Sequence, residues 1–125
     1  MSRTDNQKMA DAHEEHVAEL VGGRIPRGSG NQWRDQLDVK HDSRDPMGFA
    51  MDAKSTRKKS FSVSLKIWEK LVEQGYGQRP ALPIRFYPEH GLKPELDLVV
   101  LTLDDFAEML ETIKDLQDRA ENQEN

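Results

Sequence analysis

The chain has 125 residues, 33% of them charged and 35% hydrophobic, with no cysteine and a formal net charge of -5. That length predicts a single domain around one modest core. No apolar run reaches the roughly 18 residues of a membrane span, and the absence of cysteine excludes disulfide scaffolds, zinc fingers, iron–sulfur clusters and thiol catalysis.

The N-terminus, MSRTDNQKMADAHEEH, contains no apolar h-region. No secretory signal is therefore expected, and the default location is the cytoplasm. The net charge is unevenly divided: -3 over residues 1–21, +5 over 22–95 and -7 over 96–125. A cationic middle between acidic ends can present a polyanion-binding face in a protein that is acidic as a whole. The alternative is that the acidic ends are ordinary solvated helices.

In chain order, residues 4–21 read as a helix, with Val17, Ala18, Leu20 and Val21 at helical spacing and Gly22-Gly23 as the stop. Residues 1–8 and 121–125 are expected to be disordered tails. Residues 24–34 are rich in Gly, Ser and Pro and read as a loop. Gln36–Lys40 and Gly48–Ala53 read as short strands separated by the turn-prone HDSRDPMG. Residues 62–75 place Leu65, Ile67, Trp68, Leu71 and Val72 on one broad helical face, with Gly75 just beyond. Leu82–Tyr87 and Leu96–Leu101 read as strands. The run Leu98-Val99-Val100-Leu101 predicts burial on both faces. Thr102, three residues before Asp105, resembles a capping signal for a helix to about residue 120. That helix carries Phe106, Leu110, Ile113 and Leu116 or Gln117 along its seam. The order predicts an α/β domain with a mixed central sheet flanked by helices.

The chemically informative stretch is Phe49-Ala50-Met51-Asp52-Ala53-Lys54-Ser55-Thr56. Side chains alternate faces along a strand, so Asp52 and Lys54 share one face and Met51 and Ala53 the other. A second acid, Asp38, lies on the neighbouring strand between Leu37 and Val39. Carboxylates on adjacent strands repel unless a cation sits between them. Mg²⁺ takes one or two protein carboxylates and fills its remaining sites with water and phosphate oxygens. The spacing suits a hydrolytic Mg²⁺ site with Lys54 beside it; the plain alternative for Asp-x-Lys is a surface ion pair. Glu14 falls at helical spacing with Val17, Ala18 and Val21, on the apolar face of the first helix. A carboxylate there is costly unless paired or metal-bound, or else it sits at the edge of that face and reaches solvent.

Taken together, helical Glu14, Gly22-Gly23-Arg24, Gly28-Ser29-Gly30, Asp38 and Asp52-x-Lys54 with Ser55-Thr56 resemble the PD-(D/E)xK nuclease superfamily. The likeness is greatest to Holliday-junction-resolvase-like endonucleases of the archaeal and phage type. Arg57-Lys58-Lys59-Ser60-Phe61-Ser62-Val63-Ser64 leading into a Trp-bearing helix, and a final apolar strand running into Leu103-Asp104-Asp105-Phe106, extend the resemblance over residues 10–110. It implies a restriction-endonuclease-like core. It further implies that Glu14, Asp38, Asp52 and the Ala53 carbonyl hold Mg²⁺, with Mn²⁺ as a substitute, and that Lys54 is the catalytic lysine. Two departures stand out: Leu37-Asp38 replaces Pro-Asp, and Asp52 occupies a position where Glu is commoner.

The cations fit the same reading. Arg57, Lys58 and Lys59 follow the lysine, and Arg24, Arg27 and Arg34 lie in the Gly-rich segment. Such groups contact DNA phosphates without reading sequence and make binding salt-dependent. For Lys58 and Lys59 the alternative is a solvated turn. Trp33 reads first as a packed loop anchor and second as a base-stacking group. Other motifs fail. His13 and His16 are three apart where a zinc-protease H-E-x-x-H needs four. Gly23 to Ser29 lacks the Gly-Lys-Ser/Thr ending of a P-loop. Ser60, Ser62 and Ser64 lack His and Asp partners, and Met47 and Met51 read as core fillers.

The reading is a metal-dependent DNA endonuclease selective for branched DNA. Because symmetric junction cleavage needs two active sites, a homodimer is expected. The alternatives are a nicking, duplex or flap nuclease of the same fold, a non-catalytic DNA- or protein-binding module, and an acidic protein binding through residues 103–120.

Overall fold

The computed structural model describes residues 4–22, 39–40, 48–75 and 77–124. Among these, the elements are α1 (Asp5–Val21), β1 (Val39–Lys40), β2 (Phe49–Met51), β3 (Lys54–Thr56), α2 (Leu65–Gln74), β4 (Arg79–Phe86), β5 (Leu96–Val100) and α3 (Leu103–Glu124). This is an α/β arrangement with an open, mixed sheet, as its element order predicts. None of the described helices is long and apolar enough to cross a membrane.

Each helix begins where a side chain satisfies its orphan donors. Thr4 Oγ1 accepts from the Gln7 N–H at 3.2 Å, so α1 starts at Asp5. Residues 5–8 are its first turn, a correction to the expected disordered tail. Ser64 Oγ caps α2 at the Ile67 N–H, so that helix starts at Leu65 and not at residue 62. Thr102 Oγ1 accepts from the Asp105 N–H at 3.1 Å, as its spacing suggests. Asp104 and Asp105 in the first turn of α3 complement the helix dipole. That helix continues to Glu124, beyond the expected end near 120, so residues 121–124 are helix and not tail. At the other end of α1, Gly22 takes a left-handed conformation (φ 66°) and its N–H bonds the Ala18 carbonyl.

β4 is the axis of the sheet. It pairs in parallel with β2 and with β3, and antiparallel with β5; β1 pairs antiparallel with β2. A parallel neighbour needs a crossover connection, and α2 supplies it. β2 and β3 keep one register along β4, with Met51 beside Ala81 and Lys54 beside Ile84. The strand expected over 48–53 ends at Met51, Asp52-Ala53 forms a gap, and β3 follows in line beyond the expected end. The gap faces Leu82-Pro83, and proline has no N–H to give a ladder.

Alternation along the sheet divides the core in two. Phe49, Met51 and Ala81 join Val17 of α1, with Leu101 and Met109 packed against them. Ala50, Leu82 and Ile84 join Leu71 of α2, with Phe61, Ile67, Trp68 and Phe86 around them. The sheet-facing row of α1 is Met9, His13 and Val17, spaced four apart. Leu20 and Val21 are exposed, so the buried row ends at Val17, short of the apolar last turn.

β5 departs from expectation. It is an edge strand with β4 on one side, and Leu96, Leu98 and Val99 are each about half exposed. Leu98–Leu101 is thus not buried on both faces. The ten-residue α2 covers the β2–β4 region, and α3 does not fold back over β5.

Candidate active site

The gap at Asp52-Ala53 breaks the ladder next to β3, against which α1 packs. Across the gap, Lys54 Nζ lies 3.0 Å from Asp52 Oδ2. Their side chains are 41% and 26% exposed, so the pair is in reach of solvent and of a substrate. Period-two geometry alone places them on one face, and the short contact follows from it.

Glu14 is half-buried on the flank of the inward row of α1. Its carboxyl is held above the ordinary range, first by burial and then by the negative charges of Asp11, Glu15 and Asp52. The Asp52 charge is the smallest of these contributions. Asp38 lies outside the described residues, as do Arg24, Arg27, Arg34, Trp33 and Met47. Among the described residues no three His, Asp or Glu side chains converge to hold a metal ion. Glu14 and Asp52 are carboxylates of the oxygen-donor type Mg²⁺ takes from protein, and a nearby cation would relieve the raised Glu14 carboxyl.

Beyond β3 the chain enters a cationic turn. Lys58 N–H bonds Thr56 Oγ1 at 3.0 Å, and both Lys58 and Lys59 project to solvent. Arg57 is engaged differently: its Nη1 donates to the Pro88 carbonyl at 2.9 Å and the Gly91 carbonyl at 2.7 Å. Its guanidinium also stands 6.0 Å from the centre of the Tyr87 ring. Arg57 thus fixes the β4–β5 turn against the end of β3. An open cleft of about 530 Å³ results, lined by Arg57, Lys58, Lys59, Tyr87, Pro88 and Leu96 among others.

A second polar cluster lies under α1 and has no counterpart in the sequence reading. Arg85 of β4 is buried, and its Nε and Nη2 donate to the two carboxylate oxygens of Asp97, directly opposite on β5, at 2.7 and 2.9 Å. This fork raises the guanidinium pKa and lowers that of Asp97. Tyr87 Oη donates to the Met9 carbonyl at 2.9 Å, tying α1 to the sheet. His16 Nε2 approaches Asp97 Oδ2 at 3.7 Å. His13, 1% exposed, has no hydrogen-bond partner at either ring nitrogen. Burial pushes its pKa below 6.5; the nearby Pro83 carbonyl opposes that, and the positive charge of Arg85 adds to it to a lesser degree. The available signal was a cation, Arg85, inside the apolar run Ala81–Tyr87: a buried guanidinium requires a carboxylate across the ladder.

No family model and no curated protein matches this chain.

Proposed function

We propose that the protein is a Mg²⁺-dependent DNA endonuclease with a restriction-endonuclease-like core, acting in the cytoplasm on branched DNA of the Holliday-junction type. The supporting observation is the Asp52–Lys54 pair at 3.0 Å in a strand gap, beside a Glu14 carboxyl that senses the Asp52 charge. Glu14 adds a half-buried carboxyl, raised chiefly by burial, whose charge the Asp52 carboxylate disfavours.

In this reading Glu14, Asp52, the Ala53 carbonyl and Asp38 hold the cation. When bound, Mg²⁺ polarises the phosphate and makes water a competent nucleophile at neutral pH. The protein's own contribution is positional and electrostatic. Asp52 anchors the Lys54 ammonium, which is left pointing where a phosphate oxygen gains charge. Lys58 and Lys59 extend the positive surface and hold the phosphodiester backbone without reading bases. Arg57 keeps the cleft open by bracing the turn at 88–91. Two copies give the paired sites that symmetric cleavage requires.

The test is a comparison of the wild-type chain with Asp52→Asn on a labelled four-way junction in Mg²⁺. Cleavage by the wild type, lost in the variant while junction affinity persists, supports the proposal. Equal behaviour of the two proteins refutes it.

A further inference from the structure

The cleft beyond β3 is a preformed space of about 530 Å³, within the range of sites that take one small molecule. Arg57 commits its guanidinium to the Pro88 and Gly91 carbonyls, so the turn that walls the cleft is held before anything binds. The Glu95 N–H bonds the Phe86 carbonyl at 2.8 Å and fixes the entry into β5.

Three kinds of surface meet there. Phe86, paired across the ladder with Leu96, and Leu98 two residues further on give an apolar floor. Both leucines are about half exposed. Lys58 and Lys59 line the same cleft as exposed cations. Glu89 and Glu95 bring carboxylates to it. Glu89 is 90% exposed and stands 4.0 Å from His90, which leaves Glu95, next to Leu96, as the acid beside the floor.

A phosphate alone has no use for the leucines. A fatty anion or an acidic peptide gains from the lysines and the leucines, but the Glu95 carboxylate repels it. A nucleotide answers to the whole set: a flat apolar base, an anionic phosphate and, in cytosine, adenine or guanine, an amino group that donates to a carboxylate. The face of a base is open only outside the duplex stack. β3 leads from Lys54 directly to Arg57, about 10 Å at roughly 3.3 Å per residue, so one strand can span the cleft and the Asp52–Lys54 pair within a few nucleotides.

We infer that this cleft holds one unpaired, amino-bearing nucleotide of DNA. Its base lies on Phe86, Leu96 and Leu98, its amino group donates to Glu95, and its phosphate meets Lys58 and Lys59. The inference rests on the proposed action on DNA and names the feature of a branched substrate that the chain selects, a base without a partner.

Fluorescence anisotropy on the full chain in EDTA tests it without cleavage, using short labelled oligo(dC), oligo(dT), oligo(rC) and a blunt duplex. Oligo(dC) is expected to bind at least about fivefold more tightly than oligo(dT), which lacks the amino group, and more tightly than the duplex. Glu95→Ala is expected to erase the preference for oligo(dC), and Leu96→Ser to weaken binding of both DNA strands at least about fivefold. Replacing Lys58 and Lys59 together by Ala is expected to reduce the slope of log affinity against log salt by about 1.4. All four positions are exposed, so unchanged circular dichroism is expected to accompany these losses. Equal affinity for oligo(dC) and oligo(dT), a preference that survives Glu95→Ala, or a Leu96→Ser variant that binds as the wild type does overturns the inference. Duplex binding as tight as that of oligo(dC) overturns it too, as does tighter binding of oligo(rC), which would make the ligand RNA. Selective oligo(dC) binding by a chain that cuts no DNA in Mg²⁺ keeps this inference and removes the nuclease proposal; junction cleavage by a chain indifferent to cytosine does the reverse.

Discussion

Asp52 and Lys54 meet at 3.0 Å beside the stretch of β4 where Pro83 withholds a ladder donor. The interruption frees two adjacent positions of a central line of strand from the regular ladder. A half-exposed ion pair of this kind contributes little to stability, on the order of 0.5 kcal/mol. Asp52→Asn and Lys54→Ala are therefore expected to unfold in urea within about 1 kcal/mol of the wild type. Under the nuclease reading each lowers the cleavage rate by a factor of about 100 or more. A large loss of stability in either variant would assign the pair to the fold.

Glu14 supplies a prediction of opposite sign for stability and activity. Its pKa is raised in the folded chain, chiefly by burial, so the folded state prefers the protonated form. The stability tied to that preference is complete below 4.5 and is lost as pH rises through the raised value. Glu14→Gln removes the charge, so thermal unfolding without metal at pH 7 is expected to move to higher temperature. Mg²⁺-dependent cleavage is expected to fall in the same variant. Added Mg²⁺ is expected to stabilise the wild type more than Glu14→Gln, by differential scanning fluorimetry.

The Arg85–Asp97 pair holds a deeply buried guanidinium, with the Arg85 side chain 6% exposed. Removing one partner strands the other. Asp97→Ala leaves a buried guanidinium and is expected to cost about 3 kcal/mol in urea unfolding. Arg85→Met costs less, because Asp97 is 34% exposed and can reach water. The double variant is expected to recover part of the Asp97→Ala loss. Additive losses in the double-mutant cycle would show that the pair is not coupled.

His13 gives the fold a pH dependence of its own. Its folded pKa lies below 6.5 because burial penalises the imidazolium. Unfolding exposes it to water and allows proton uptake, so its contribution is complete above 6.5 and is lost as pH falls from there through the folded value. The slope is at most about 1.4 kcal/mol per pH unit. Urea unfolding between pH 7.5 and 5.5 is expected to show this decline, and His13→Leu to flatten it. The Asp97 carboxylate, lowered by Arg85, acts only below 3.8 and stays out of that window.

The elements legible in the sequence were those signalled by local chemistry. Thr102 and Asp105 announced α3, Gly22 announced the end of α1, and the alternation around Met51 placed Asp52 and Lys54 together. The strand containing Arg79 and Pro80 was read three residues late, because two prolines disguise a central strand whose pairing depends on neighbours distant in sequence. Burial of Leu98 and Val99 was inferred from hydrophobicity, but exposure is set by what covers β5, and composition carries no record of that. The Arg85–Asp97 fork depended on register between β4 and β5, which twelve residues of separation leave open. At the candidate site, the proximity of Asp52 and Lys54 was legible from strand alternation, whereas Asp38 lies outside the described residues.

The most direct measurement is a Mg²⁺ cleavage assay on labelled four-way junction, linear duplex and single-stranded DNA, run beside Lys54→Ala and an EDTA control. Paired symmetric nicks on the junction, absent from both controls and from the other two substrates, are the result predicted. Folded wild-type protein that leaves all three DNAs intact, in Mn²⁺ as well as Mg²⁺, would contradict the assignment of Glu14, Asp52 and Lys54 to catalysis.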